Sequence, residues 1–225
     1  MDSLGISIIF QGINLQRLLH GFLVTLQISL ISILISMVFG VLFGVVMSAK
    51  QAWIGIAAKI YLEMVRIIPI VVWLFIFYFG LSRVLPFRLP AQNIAILVFC
   101  LWGIAEMGDI VRGAICSLPK QQTESAKAIG LTEIQIYRYI TIPQAVRRML
   151  PAAINLSTRM IKTTSLVVLI GVVEVLKVGQ QIIELSIFNN PSISFWIYGL
   201  IFFLYFIICY PISLLSKYLE KIWNE

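Results

Sequence analysis

The sequence predicts an all-α integral membrane protein of five transmembrane helices, with its N-terminus outside and its C-terminus in the cytoplasm. Three observations predict it. Hydrophobic residues make up 60% of the chain and charged residues only 12%, against the roughly 25% charged of a soluble domain. The apolar residues fall into runs comparable to the ~20 positions a helix needs to cross a bilayer. The Lys and Arg residues gather in alternate connections between those runs.

The first span covers Gly21 to Ala49, 29 positions without a charge, and carries a G-x-x-x-G at Gly40 and Gly44 of the kind that permits close helix packing. The second centres on Ile67 to Leu81 and starts earlier, passing Glu63 and Arg66 before Pro69. The third runs from about Leu89 through Ala105 and continues past Glu106 and Asp109 towards Arg112. The fourth, about Leu156 to Ile183, contains Lys162, Glu174 and Lys177. The fifth, Ser192 to Ser216, is uncharged, with Pro211 near its end.

An outside N-terminus puts thirteen basic residues in the cytoplasm: Lys50, Lys59, Arg66, Arg112, Lys120, Lys127, Arg138, Arg147, Arg148, Arg159, Lys162, Lys217 and Lys221. Arg17, Arg83, Arg88 and Lys177 fall on or near the other side, so the positive-inside rule decides the orientation. The net charge of +7 therefore reads as topology, and no nucleic-acid partner is expected. Cys100, Cys116 and Cys209 lie in or beside apolar segments without C-x-x-C spacing. One histidine, His20, cannot anchor a metal cluster, so no metal site is expected. Asp2 and the lack of a basic residue before Arg17 argue against a cleaved signal peptide. The chain reads as a single membrane domain over residues 1–225 with one large cytoplasmic loop, about 112–159.

Within that loop, Pro119 favours a helix start and Gln121 to Ile129 contains good helix formers. Gly130 stands where a helix C-terminus wants positive φ. Thr132 and Gln135 form a capping-box pattern for a second helix, which Pro143 should end or bend. The expectation is helix, glycine turn, helix. Such a polar segment cannot lie in lipid, and a short surface helix suits docking into a partner's groove. Resting against anionic headgroups is the plainer alternative.

The segment Glu124-Ser125-Ala126, three residues, Gly130, nine residues, then Ile140-Thr141-Ile142-Pro143 resembles the E-A-A…G…I-x-L-P signature of ABC importer membrane subunits, with Ser125 for Ala and Ile142 for Leu. Tyr61 to Pro69, followed by Phe77-Tyr78-Phe79-Gly80, resembles the Y-x-E-x-x-R-G-T-P and aromatic run of the polar amino-acid branch, with Ile67 and Ile68 for Gly-Thr. Asp109 to Gly113 resembles its acid-x-x-R-G run, and Lys162-Thr163-Thr164-Ser165-Leu166 its K-D-T-S-L. The matches cover roughly residues 20–215. They imply the type I importer fold of the histidine/glutamine/cystine/arginine branch in a bacterial cytoplasmic (inner) membrane. The resemblance implies that Glu124, Ser125, Ala126, Gly130, Ile140 and Pro143 couple the chain to two ATP-binding cassette subunits. ATP and Mg would be used by those partners; this chain is expected to bind no cofactor, as it contains no G-x-x-x-x-G-K-[ST]. A second permease copy or paralogue and an extracytoplasmic amino-acid-binding protein complete the implied assembly.

Ionisable residues at membrane depth cost about 2.5–3.5 kcal/mol on insertion scales, so each needs a partner or a role. Glu63 and Arg66, and Asp109 and Arg112, are three apart and can meet on one helix face; Glu106 can share Arg112. Glu174 and Lys177 have the same spacing and read as a structural pair or a gate element. The hydroxyls of Thr163, Thr164 and Ser165 can back-bond to helix carbonyls. The resemblance places Lys162 to Ser165 on the translocation path, with Arg66 and Glu174 as further path candidates. Thr163 stands where relatives often carry Asp, which tilts the expectation towards a neutral polar substrate such as glutamine or cystine. The competing class, an ion-coupled secondary transporter or channel, would want buried acids along a path, whereas the acids here sit near span ends. An intramembrane enzyme lacks any paired Asp, H-E-x-x-H or nucleophile–base arrangement; no catalytic residue is expected.

Overall fold

A computed structural model describes residues 6–48, 52–84, 86, 88–188 and 190–224. Asp2, Ala49 and Lys50 lie outside them. The described chain is helical: α1 (Ser7–Phe10), α2 (Asn14–Met47), α3 (Ala52–Ile67), α4 (Ile70–Phe75), α5 (Leu81–Val84), α6 (Ala91–Cys116), α7 (Lys120–Ala128), α8 (Glu133–Ile136), α9 (Ile142–Thr163), α10 (Val175–Ser186) and α11 (Ile193–Asn224). A π turn, Ile76–Gly80, links α4 to α5, and another, Tyr137–Thr141, links α8 to α9; a 3₁₀ segment, Thr164–Ile170, follows α9.

Three helices, α2, α6 and the stretch Ile193–Trp223 of α11, are long and apolar enough to cross a membrane, and up to five spans result if two broken helix pairs each count as one. The second expected span is interrupted between Ile67 and Ile70, before and at Pro69, which has no N–H to carry a helix onward. The fourth is also discontinuous. Its helix tightens to 3₁₀ after Thr163, turns at the left-handed Gly171, and restarts at Val175. Pro211 does not close the fifth: α11 continues through it to Asn224.

The chain divides into two compact units. In the first (Met1–Ser32, Ile70–Phe99, Arg159–Pro211), Ile8, Ile9 and Leu18 pack with Val175, Val178, Ile182 and Ile183 of α10 and with Ile193, Ile197 and Ile201 of α11. Arg17 Nη2 donates to Gln181 Oε1 at 2.6 Å. Thr25, Ser29 and Ser32 of α2 are fully buried, while Leu23 and Leu30 are exposed. This helix turns its small hydroxyl residues to the protein and its leucines outward, as expected where lipid is the solvent.

In the second unit (Ile33–Pro69, Cys100–Thr158, Ile212–Glu225), Leu62 and Val65 of α3 pack with Ala105 of α6. Tyr61 Oη donates to the Leu101 carbonyl at 2.6 Å, and its ring meets Phe43 edge-on at 5.3 Å. The G-x-x-x-G is a packing device here. A Cβ on Gly44 would stand 2.5 Å from Val111 Cβ and 2.6 Å from the Gly108 carbonyl oxygen. Only glycine lets α2 and α6 approach this closely.

Candidate functional site

The loop after α6 is organised by local backbone chemistry. Pro119, in extended conformation, precedes α7. At the other end the Gly130 N–H donates to the Lys127 carbonyl, and the Leu131 N–H to that of Ala126. This 5→2 and 6→1 pair is a Schellman C-cap, closed by Gly130 at φ +88°. Thr132 then caps α8. Its Oγ1 accepts from the Gln135 N–H at 3.4 Å, and its own N–H donates to Gln135 Oε1 at 2.8 Å, completing the box. Lys127 Nζ and Glu133 Oε1, 2.5 Å apart, bridge the turn.

Of the two outcomes expected at Pro143, an end or a bend, the helix does not end there: after α8 it departs from regular geometry over Tyr137–Thr141 and continues as α9. The π turn before it absorbs the missing donor: the Ile142 N–H reaches back five residues to the Tyr137 carbonyl, and Pro143 sits in the first turn of α9, where its lost N–H costs little.

Two cross-links hold the loop to α9. Gln144 Nε2 donates to Gln122 Oε1 at 2.7 Å, and Arg148 Nη1 donates to the Ser117 carbonyl at 2.7 Å and its Oγ at 2.8 Å. Ala126 and Ile136 are buried, whereas Glu124, Ser125, Gly130 and Pro143 are exposed and Ile140 is half-buried. Ile129 and Ile134 are each 80% exposed. Thus the loop is anchored on one side and presents a rigid surface with two projecting isoleucines on the other. Their placement was not read from the sequence, because the loop also contains the buried Ile136 and apolar character does not tell the two kinds apart.

The path candidates divide between the units. In the first, Lys162 is exposed and Thr163 half-buried, while Thr164 is buried. All three hydroxyls back-bond: Thr163 to the Arg159 carbonyl at 2.8 Å, Thr164 to Ile161 at 2.6 Å, Ser165 to Lys162 at 2.9 Å. Each oxygen keeps lone pairs able to accept from an ammonium.

Glu174 is fully buried and is the N-cap of α10. Its Oε1 accepts from the Lys177 backbone N–H at 3.0 Å, and its Oε2 accepts from Thr25 Oγ1 at 3.1 Å. The Val175 N–H donates in turn to Thr25 Oγ1 at 3.4 Å. The i, i+3 relation of Glu174 and Lys177 therefore serves the main chain, and among the described residues no ion pair joins the two side chains. The Tyr205 hydroxyl is buried beside Thr25, Thr164 and Glu174. None of this clustering was visible in one-dimensional spacing.

Arg66 belongs to the second unit, and its partners are on α6 rather than at Glu63. Its Nε meets Glu106 Oε1 at 3.2 Å and its Nη2 meets Asp109 Oδ2 at 2.6 Å. The expected Asp109–Arg112 pair forms, at 2.5 Å, so Asp109 is shared by two guanidinium groups and Glu106 pairs with Arg66.

Comparison with known proteins gives this arrangement a family. Residues 36–223 match the family of binding-protein-dependent transport system inner membrane components. A probable glutamine ABC transporter permease protein of Bacillus subtilis is 32% identical, the match covering 92% of this chain and 94% of the relative. The glutamine transport system permease protein of Escherichia coli strain K12 is 33% identical over 73% of each. The octopine transport system permease protein of Rhizobium radiobacter is 30% identical over 75% of this chain and 72% of its own. Among solved structures, an amino acid ABC transporter crystallised with histidines superposes with a TM-score of 0.81 at 25% identity, covering 92% of this chain and 94% of that one. An inward-facing methionine ABC transporter, at 18% identity and a TM-score of 0.67 over 91% of this chain and 96% of that one, shares the fold. With a family match across most of its length and relatives of this similarity, the chain belongs to the inner-membrane permease components of binding-protein-dependent transport systems.

Proposed function

We propose that the chain is the translocating subunit of an ATP-driven importer of a polar amino acid, coupled to separate ATPase subunits through the Glu124–Pro143 loop. The carrying observation is that loop: two capped helices fixed to α9 and offering the exposed Ile129 and Ile134. A rigid helical knob suits insertion into a groove on a partner, and its rigidity lets closure of the ATPase pair be transmitted as tilting of α9.

The rest of the assembly follows from this reading. Residues 1–225 act as one membrane domain of five spans, N-terminus outside and C-terminus inside, with the loop over about 112–159; the asymmetry of Lys and Arg supports the orientation. Two copies, or this chain and a paralogue, enclose the path. Two ATP-binding cassette subunits carry ATP and Mg, and an extracytoplasmic binding protein delivers the substrate. The glutamine relatives and the Thr163 in place of Asp support a neutral polar amino acid, received near Lys162 to Ser165. An amino-acid zwitterion needs donors for its carboxylate and acceptors for its ammonium, and a lysine followed by three hydroxyls offers both.

The test is reconstitution of the complex with its binding protein in vesicles. ATP-dependent uptake from a panel of polar amino acids is expected. Substitution of Glu124 and Gly130 should collapse complex assembly or binding-protein-stimulated ATPase activity; normal values of both would remove the coupling role. Uptake that follows an ion gradient without ATP would overturn the mechanism as a whole.

A further inference from the structure

We infer that the cleft between α9 and the C-terminal turns of α11 is a phospholipid headgroup site, selective for a headgroup that carries both a phosphate and a primary ammonium. It rests on the cytoplasmic placement of the C-terminus proposed above.

Within the second unit, Ser216 Oγ on α11 donates to the Pro151 carbonyl on α9 at 2.8 Å and pins the two helices together. Beside this pin a cleft of about 280 Å³ is lined by Arg147, Arg148, Asn155, Glu220 and Trp223, together with Pro151 and Ala152. Arg148 is committed to Ser117. Among the described residues neither Arg147 nor Glu220 has an ion-pair partner. Two opposite charges thus face one cleft without closing on each other. The space between them suits a ligand bearing both complementary charges.

The surroundings favour a lipid as its source. Trp223 is an interfacial anchor type, with an apolar ring and one N–H. Lys217 and Lys221 on the same terminal turns of α11 add positive charge near the anionic inner surface. Arg147 supplies a planar fork for phosphate oxygens. Glu220 accepts from the ammonium. Ethanolamine headgroups present this pair of groups. Glycerol headgroups lack the cation, and choline headgroups have a cation with no N–H to donate.

Native mass spectrometry of the detergent-purified transporter complex tests the site, with phosphatidylethanolamine, phosphatidylglycerol and phosphatidylcholine offered in equal amounts. The ethanolamine lipid should be retained roughly fivefold over the other two, the scale of one well-placed charge near a membrane surface. Arg147→Gln should weaken retention of all three. Glu220→Gln should lower the ethanolamine lipid to the level of the glycerol lipid. Equal retention by the unaltered protein, or unchanged retention in both variants, would overturn the site. So would displacement of the lipid by millimolar free glutamine, which would make the cleft a site for a soluble zwitterion. Labelling of Lys221→Cys by a membrane-impermeant thiol reagent reads the orientation independently. Labelling from outside intact cells removes the inner-leaflet assignment, whereas a protected tail with no lipid preference removes the headgroup site alone.

Discussion

Thr25 Oγ1 lies 3.1 Å from Glu174 Oε2 and 3.4 Å from the Val175 backbone nitrogen, so one buried hydroxyl on α2 completes the N-terminus of α10. The pairing joins residues 149 positions apart at the break in the fourth span. Thr25→Val keeps the shape and removes both bonds. Each buried group left without a partner costs about 1–3 kcal/mol, so a fall in the thermal unfolding temperature of the purified permease is expected. Glu174→Gln retains an oxygen for the Lys177 N–H and should cost less. Equal loss in the two variants would contradict the division of roles between the oxygens.

Tyr205 gives a prediction of opposite sign. Its hydroxyl is buried and, among the described residues, meets no hydrogen-bond partner of good geometry. Removing a buried hydroxyl that lacks a partner relieves its desolvation cost. Tyr205→Phe should therefore leave thermal stability unchanged or raise it. A loss of about 1 kcal/mol or more would show that Thr25, Thr164 or an ordered water satisfies the group.

Close packing of α2 on α6 predicts a contrast between two glycines. A Cβ on Gly44 would fall within 2.6 Å of backbone on α6, while one on Gly199 would meet nothing within 4 Å. Gly44→Ala must move a helix, at about 1–3 kcal/mol by analogy with overpacked cores. Gly199→Ala sits on α11 in open space and should be neutral or slightly stabilising, since alanine is the better helix former. Comparable effects at the two sites would mean that α2 and α6 are not in this contact.

What could be read from the sequence was local or averaged over a span. Gly130 and the Thr132–Gln135 pair were legible because caps obey rules that act within a few residues. Long apolar runs located the helices, but hydropathy does not say which face is buried. The inward row Thr25, Ser29 and Ser32 was missed because it is interleaved with outward leucines. The choice of Glu106 and Asp109 by Arg66 depends on how α3 meets α6, so an i, i+3 rule pointed to Glu63 instead. The π turn that accommodates Pro143 and the 3₁₀ segment after Thr163 are likewise departures from regular helix that propensity does not encode.

The Arg66 network is open to a double-mutant cycle. Arg66 is partly exposed, 39% at its side chain, so its pairing with Asp109 is screened and worth about 0.5–1 kcal/mol. Arg66→Gln and Asp109→Asn should be less than additive by that amount in thermal or denaturant unfolding. Strict additivity would show that the contact contributes nothing to stability. Asp109→Asn also frees Arg112, so Arg112→Gln should do less damage in that background than in the parent.

Thr163 tests the substrate reading most directly. Its hydroxyl is occupied by the Arg159 carbonyl and can accept from a substrate cation, but it carries no charge. Thr163→Asp places a carboxylate at the position that is Asp in the K-D-T-S-L run this segment resembles. A charge-assisted hydrogen bond to a cationic side chain exceeds a neutral one by about 1.4 kcal/mol, which is tenfold in affinity. The ratio of arginine to glutamine uptake in vesicles containing the full complex should therefore rise about tenfold, with ATP hydrolysis still coupled. An unchanged ratio with intact uptake would place Thr163 off the path. A loss of all uptake is separated from this by Thr163→Ser, which keeps the hydroxyl and should transport as the parent does if the position lines the route.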